Sequence, residues 1–263
     1  SLILPSPTAS HKVNAHMRSD AAKIVRALCV NGPFNIQFLV SEEIPYVIEC
    51  NLRASRSFPF VSKVQQVNFI DIATEVIIRT KHITVPAAKN GFTAVKVPQF
   101  SFQKLRGADP VTRVEMSSTG EVVGLGSNPY EAYLKGILAT GVKYPQEKAA
   151  LVSLGGAGAK LRFLESCRKL IKLGFTIFAT DGTHLFLKEY GILSHRVGKI
   201  REHLKPNTLD LLVGRRIDFL VVVSESQKDY RTHMYRQSVT EGYIMRRLAV
   251  DTGIPIFSNT NSA

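Results

Sequence analysis

Apolar side chains at Val13, Met17, Ala21, Ile24, Val25 and Leu28 recur at three- and four-residue intervals, the stripe of an amphipathic helix, and Asn31-Gly32-Pro33 stops it. Two β-rich runs, 34–40 and 46–51, flank Ser41-Glu42-Glu43-Ile44-Pro45, which predicts a hairpin with a medium loop. Further on, the pattern predicts a helix over about 68–79 and a connecting loop over 81–91, marked by Pro86. Strands follow at 92–97, 111–116 and 120–125, then a helix at 131–139. Gly107-Ala108-Asp109-Pro110 and Ser118-Thr119-Gly120 supply the turns in this stretch.

Residues 141–148, with Pro145 and several charges, form the best boundary in the chain. Beyond it the texture changes to a regular alternation. Apolar runs at 150–154, 175–179, 194–197, 218–223 and 254–257 are separated by helical patterns at 160–173, 184–190, 208–215 and 242–251. A run such as Phe219-Leu220-Val221-Val222-Val223, apolar throughout, is what a strand needs when helices cover both faces of a parallel sheet. The expectation is a doubly wound α/β domain whose ligands sit at the carboxyl ends of the strands.

Composition narrows the class. At 263 residues and 44% hydrophobic content the chain can bury a core, and no apolar segment reads as a membrane span. The absence of an initiator methionine or a basic-then-apolar leader reads as a piece cut from a longer protein. Cys29, Cys50 and Cys167 are widely spaced and lack C-x-x-C spacing, which favours reduced thiols and a cytoplasmic location. The charge balance, 34 basic against 21 acidic residues for a net +13, invites a nucleic-acid reading. The excess is nevertheless spread over both halves, with no zinc-finger spacing and no tryptophan. A surface that accepts small phosphorylated ligands, or another part of a larger protein, accounts for it equally well.

Two constellations carry candidate chemistry. With the hairpin loop centred on Glu43, residues whose numbers sum to 86 oppose each other. Gln37 then faces Glu49, and Asn51 shares their side of the sheet. One carboxylate and two amide oxygens on one patch suit Mg²⁺ or Mn²⁺, which keep waters and share substrate phosphates. Arg53 and Arg56 follow at once, guanidinium forks able to hold phosphate oxygens. A solvated polar face with two surface arginines would produce the same spacing. In the second half, Thr180-Asp181-Gly182-Thr183 joins a strand to a helix, where hydroxyls and free backbone N–H groups form an anion site. Helix capping explains the two threonines as well. Lys160 and Lys199 stand in neighbouring loops as countercharge.

The segments Gly32-Pro33-Phe34-Asn35-Ile36-Gln37-Phe38 and Val47-Ile48-Glu49-Cys50-Asn51-Leu52-Arg53-Ala54-Ser55-Arg56-Ser57-Phe58-Pro59-Phe60 resemble the end of the second ATP-grasp domain of carbamoyl-phosphate synthases. The likeness continues through Val95-Lys96-Val97-Pro98-Gln99-Phe100-Ser101-Phe102 and Glu115-Met116-Ser117-Ser118-Thr119-Gly120-Glu121-Val122, closer to the pyrimidine-pathway type than to the urea-cycle form. It implies an α/β chain in two parts. Residues 1–145 would be the C-terminal part of a carbamate-phosphorylating ATP-grasp domain, α+β with a largely antiparallel sheet. Residues 146–263 would be a methylglyoxal-synthase-like allosteric domain. The resemblance assigns ATP and metal contact to Gln37 and Glu49, metal contact to Asn51, and phosphate stabilisation to Arg53 and Arg56. It makes Ser153, Lys160, Thr180, Thr183 and Lys199 contacts for a nucleotide or other phosphorylated effector. It implies as partners the rest of the synthetase and a glutamine amidotransferase domain or subunit. Val222-Val223-Ser224 departs from the Asn-then-threonine pattern of bacterial members, so their nucleotide selectivity does not carry over. Ser224-Glu225-Ser226-Gln227 is unlike the glycine-rich aspartate loop of true methylglyoxal synthases, which argues against that activity.

Overall fold

The computed structural model describes residues 2–78, 91–101, 107, 109–111, 118–200, 202, 204–224 and 240–260. The expected strand at 111–116, the loop at 81–91, and Phe102, Glu115 and Glu225 lie wholly or largely outside those residues. The chain divides into two compact units, one of Ser1–Gln99 and Glu121–Thr140, the other of Phe100–Gly120 and Gly141–Ala263.

In the first unit, helix α1 (His11–Ala27) starts at Ser10, whose hydroxyl accepts the Val13 N–H, and it buries Val13. Strands β2 (Asn35–Ser41) and β3 (Ile44–Asn51) form an antiparallel hairpin. Its turn is Glu42-Glu43, both at positive φ (50° and 61°), the backbone a two-residue hairpin turn demands. The medium loop expected from the sequence is therefore a tight turn, because Ser41 and Ile44 pair directly.

Helices α2 (Phe58–Gln65) and α3 (Phe69–Ile77) follow. Phe58, Phe60 and Val64 anchor α2, and Asn68 caps α3 by accepting the N–H groups of Ile70 and Asp71. A three-stranded sheet orders β1 (Leu2–Leu4), β4 (Thr93–Gln99) and β5 (Gly120–Gly126), with β1 antiparallel to β4. Helix α4 (Pro129–Ala139) lies so close to β5 that a Cβ on Gly124 would stand 1.9 Å from the Ala132 carbonyl oxygen. Only glycine permits that approach.

The second unit alternates β6 (Ala149–Leu154), α5 (Ala157–Lys172), β7 (Thr176–Thr180), α6 (Asp181–Glu189), β8 (His195–Val197), α7 (Thr208–Val213), β9 (Phe219–Val223), α8 (Glu241–Thr252) and β10 (Ile256–Phe257). The five strands are parallel in the order β10-β9-β6-β7-β8. The order reverses between β6 and β9, which places the switch-point crevice at their carboxyl ends.

Successive residues of β6 serve opposite faces. Leu151 packs with Leu212, Leu220, Met245 and Ala249. Ala150, Val152 and Leu154 pack with Phe163, Ile177 and Leu187. Full burial of one such leucine or phenylalanine is worth about 1.5–3 kcal/mol, so two covered faces make this unit the better stabilised part. Asp218 fixes where the sheet begins: its carboxylate accepts the backbone N–H groups of Gln146 (2.6 Å), Glu147 (3.1 Å) and Ala149 (2.9 Å).

Candidate functional sites at the hairpin and the second sheet

The hairpin register brings the expected oxygen ligands together. Gln37 pairs directly with Glu49, and Asn35 with Asn51. The tight turn alone would have placed Ile48 opposite Gln37, because its pairs, such as Leu39 with Tyr46, sum to 85. A bulge between Gln37 and Phe38 shifts the register by one, leaving Ile48 as the extra residue and setting Glu49 against Gln37. Bulges commonly re-aim side chains in this way. The sum of 86 inferred from a longer loop is thus correct at the site for a different physical reason. Asn51 Nδ2 donates to Glu49 Oε1 at 3.0 Å, so these two side chains share one face with Gln37.

Gln37 and Glu49 are exposed and Asn51 is half-buried. The Asn51 bond leaves the Asn51 Oδ1 and Glu49 Oε2 lone pairs free to turn outward, a hard-oxygen donor set that fits Mg²⁺ or Mn²⁺. Among the described residues no three His, Cys, Asp or Glu side chains cluster, so at this site amide oxygens and ligand phosphates would have to complete any coordination shell. Arg53 and Arg56 occupy the short connection from β3 to α2, held by the buried Phe58 and Phe60 that follow. Arg53 donates to the carbonyl of Ala54 at 3.1 Å, and both arginines are exposed.

At the carboxyl ends of β6 and β7, Thr180 Oγ1 donates to Ser153 Oγ at 3.1 Å. Thr180 is the last residue of β7 and the N-cap of α6, yet its side chain makes no capping bond, so its hydroxyl pairs across the strands instead. Lys160 reaches the same place from α5. A Cβ on Gly182 would stand 3.6 Å from Lys160 Nζ, and that ammonium lies 5.8 Å from the centre of the Phe186 ring. The first turn of α6 therefore presents N–H groups, a hydroxyl pair and a cation together, the makings of an anion site.

Thr183 is already bonded within the fold. It is 1% exposed, and its hydroxyl accepts the Leu154 N–H at 2.9 Å and donates to the Leu154 carbonyl at 3.4 Å, fastening α6 to β6. Lys199 is exposed just beyond β8, its backbone N–H donated to Glu202 at 2.9 Å. One neighbour escaped the sequence reading: Arg196 pairs with Asp181 at 2.7 Å, so the carboxylate opening α6 is already countered. The basic residue two positions before Gly198 was its only signal, and pairing across β7 and β8 is invisible without the fold.

Two family models match the chain. Residues 2–81 match the carbamoyl-phosphate synthase L chain, ATP binding domain, and residues 162–258 match the MGS-like domain. The multifunctional protein pyr1-3 of Dictyostelium discoideum is 41% identical over 262 residues, covering 100% of this chain and 12% of its own length. The multifunctional protein URA2 of Saccharomyces cerevisiae is 43% identical over 249 residues, covering 92% and 11%. The human mitochondrial carbamoyl-phosphate synthase [ammonia] is 38% identical over 269 residues, covering 98% and 17%. A solved methylglyoxal synthase from Elizabethkingia anophelis NUHP1 is a looser likeness, at 16% identity and a TM-score of 0.31 over 46% of this chain and 79% of its own. The chain thus spans about an eighth of the length of the multifunctional relatives it matches, 12% for the first of them. It belongs to the carbamoyl-phosphate synthase family, joining a segment of that family's ATP-binding domain to an MGS-like domain.

Proposed function

We propose that the chain is the C-terminal portion of a glutamine-dependent carbamoyl-phosphate synthase of the pyrimidine pathway, an ATP-dependent ligase. The observation that carries this reading is the pairing of Gln37 with Glu49, with Asn51 bonded beside them, inside the segment that matches the family's ATP-binding domain. Residues 1–145 would contribute to carbamate phosphorylation and residues 146–263 to its regulation. Gln37, Glu49 and Asn51 would hold Mg²⁺ or Mn²⁺, with Gln37 and Glu49 also contacting ATP. The ion would supply charge neutralisation on the phosphates when bound. Arg53 and Arg56, exposed on the connection from β3 to α2, would steady the transferring phosphoryl group by charge. The rest of the synthetase and a glutamine amidotransferase domain or subunit would be partners.

In the second unit, Ser153, Thr180, Lys160 and Lys199 would take the phosphate of a nucleotide or sugar-phosphate effector. Thr183 would brace α6 beneath them, since its hydroxyl is already spent on Leu154.

The test is calorimetric titration of the chain with UTP, UMP, IMP, phosphoribosyl pyrophosphate and N-acetylglutamate. Saturable binding of one or more of these, lost in Thr180→Ala and Lys199→Ala, is expected, together with no carbamoyl-phosphate production by the chain alone. Salt-sensitive binding to a polynucleotide with none to these ligands would replace this reading with nucleic-acid recognition through the basic surface.

A further inference from the structure

Arg246 on α8 is 5% exposed although it carries a full charge. Its fork grips Asp109 through two parallel bonds, Nε to Oδ1 at 2.8 Å and Nη2 to Oδ2 at 2.6 Å. The remaining nitrogen, Nη1, reaches Ser224 Oγ at 3.4 Å. Nearby on α8, the Tyr243 hydroxyl donates to the Gly107 carbonyl at 2.8 Å. Asp109 and Gly107 belong to the excursion Phe100–Gly120, which the second unit holds although its ends are continuous with β4 and β5 of the first. Ser224 follows β9 directly, and the preceding Val223 carbonyl accepts the Gly155 N–H at 2.7 Å. Gly155 lies where β6 gives way to α5, so Arg246 stands at the point of strand reversal, and Ser153 of the candidate anion site lies two residues before Gly155 on β6.

The fit is specific to a guanidinium. A lysine offers no planar fork to span both carboxylate oxygens while a third nitrogen reaches a serine. The backbone leaves room for it as well: a Cβ on Gly242 would stand 3.2 Å from Arg246 Nη1 and 3.8 Å from Ser224 Oγ. A buried guanidinium stays in place only while its bonds are met, so Arg246 holds Asp109 or must find another anion.

We infer that Arg246 is a positioning residue that couples the excursion to the mouth of the second sheet, with Asp109 and a phosphorylated ligand competing for one guanidinium. This rests on the effector-binding reading of the second unit and adds how occupancy there is transmitted. A ligand that draws Nη1 and its neighbours toward the mouth loosens Asp109, and loosening Asp109 favours the ligand to the same degree, because coupling is reciprocal.

The experiment uses the whole chain with UMP and inorganic phosphate as probes, comparing wild type with Asp109→Asn. Asp109 is 38% exposed, so the isosteric change leaves the unit folded. Without ligand, the Gly155 amide is expected to exchange with solvent about fivefold faster or more in the variant, while the core amide of Leu187 keeps its rate. With ligand, the variant is expected to bind about fivefold more tightly, and UMP is expected to speed exchange across 109–111 in the wild type only. Unchanged Gly155 exchange, or unchanged affinity in a variant that binds, overturns the coupling. Failure of the wild type to bind either probe removes the effector reading instead, and the ligand-free exchange result then decides the coupling alone.

Discussion

All the apolar residues of β6 are buried, whereas in the β2–β3 hairpin Leu39, Val40, Ile44, Tyr46, Val47 and Ile48 are each 43% to 57% exposed. The second unit closes its sheet with helices on both faces. The first carries its candidate metal ligands on a two-stranded ribbon with an apolar surface left open. A two-stranded hairpin is marginal by itself. The contrast separates a unit that completes its own core from a segment whose candidate ligand face is shaped by register rather than by burial.

The largest expected effect tests that contrast directly. Phe163→Ala, at 1% exposure between α5 and the sheet, should cost about 3–5 kcal/mol in urea unfolding. Ile48→Ala on the hairpin, at 57% exposure, should cost under about 1 kcal/mol. Equal losses would show that the hairpin is as firmly packed as the core and would erase the distinction.

A smaller effect sharpens it within the second unit. Asp218→Ala removes the acceptor for three backbone N–H groups at the entry to β6, at an expected cost of about 1–3 kcal/mol by the same unfolding measurement. A neutral result would mean water replaces the carboxylate without loss.

The smallest lies in the first unit and is read by titration. Hydrogen bonds from the Lys135 ammonium and from Ser127 lower the Glu131 carboxyl from 4.5 to about 2. A depressed carboxyl contributes stability that is present above the unfolded value and lost as pH falls through the folded one, so the window runs from pH 4.5 down to about 2. Because Glu131 is solvent-exposed, the consequence is local to the start of α4. Carbon NMR of the Glu131 carboxyl should show a midpoint near 2 that rises in Lys135→Ala. An ordinary midpoint in the wild type would show that the contacts are transient.

Legibility followed physical locality. The alternating strands and helices among the described residues of the second unit are readable because an all-apolar run admits few alternatives once helical patterns separate the runs. Helix α2 escaped, since eight residues with Pro59 in the first turn carry too short a period, and β1, at three residues, carries none. The hairpin register is legible in outcome but not in cause: the facing of Gln37 and Glu49 follows from an approximate loop centre, while the tight turn and the bulge that align them leave no signature in the sequence. A threonine hydroxyl near a helix start suits ligand contact and bracing alike, and the bond that ties Thr183 to Leu154 becomes visible only in the fold.

Local pattern and residue chemistry are enough to determine that this chain joins an antiparallel ribbon bearing carboxylate and amide side chains to a parallel, doubly wound sheet, because both periodicities are written within a few residues of each other. Tertiary structure alone decided that Arg246 takes Asp109, that Arg196 takes Asp181 and that Lys160 reaches α6. Charges pair according to distance in space, and a separation of 137 positions along the chain leaves no periodic trace.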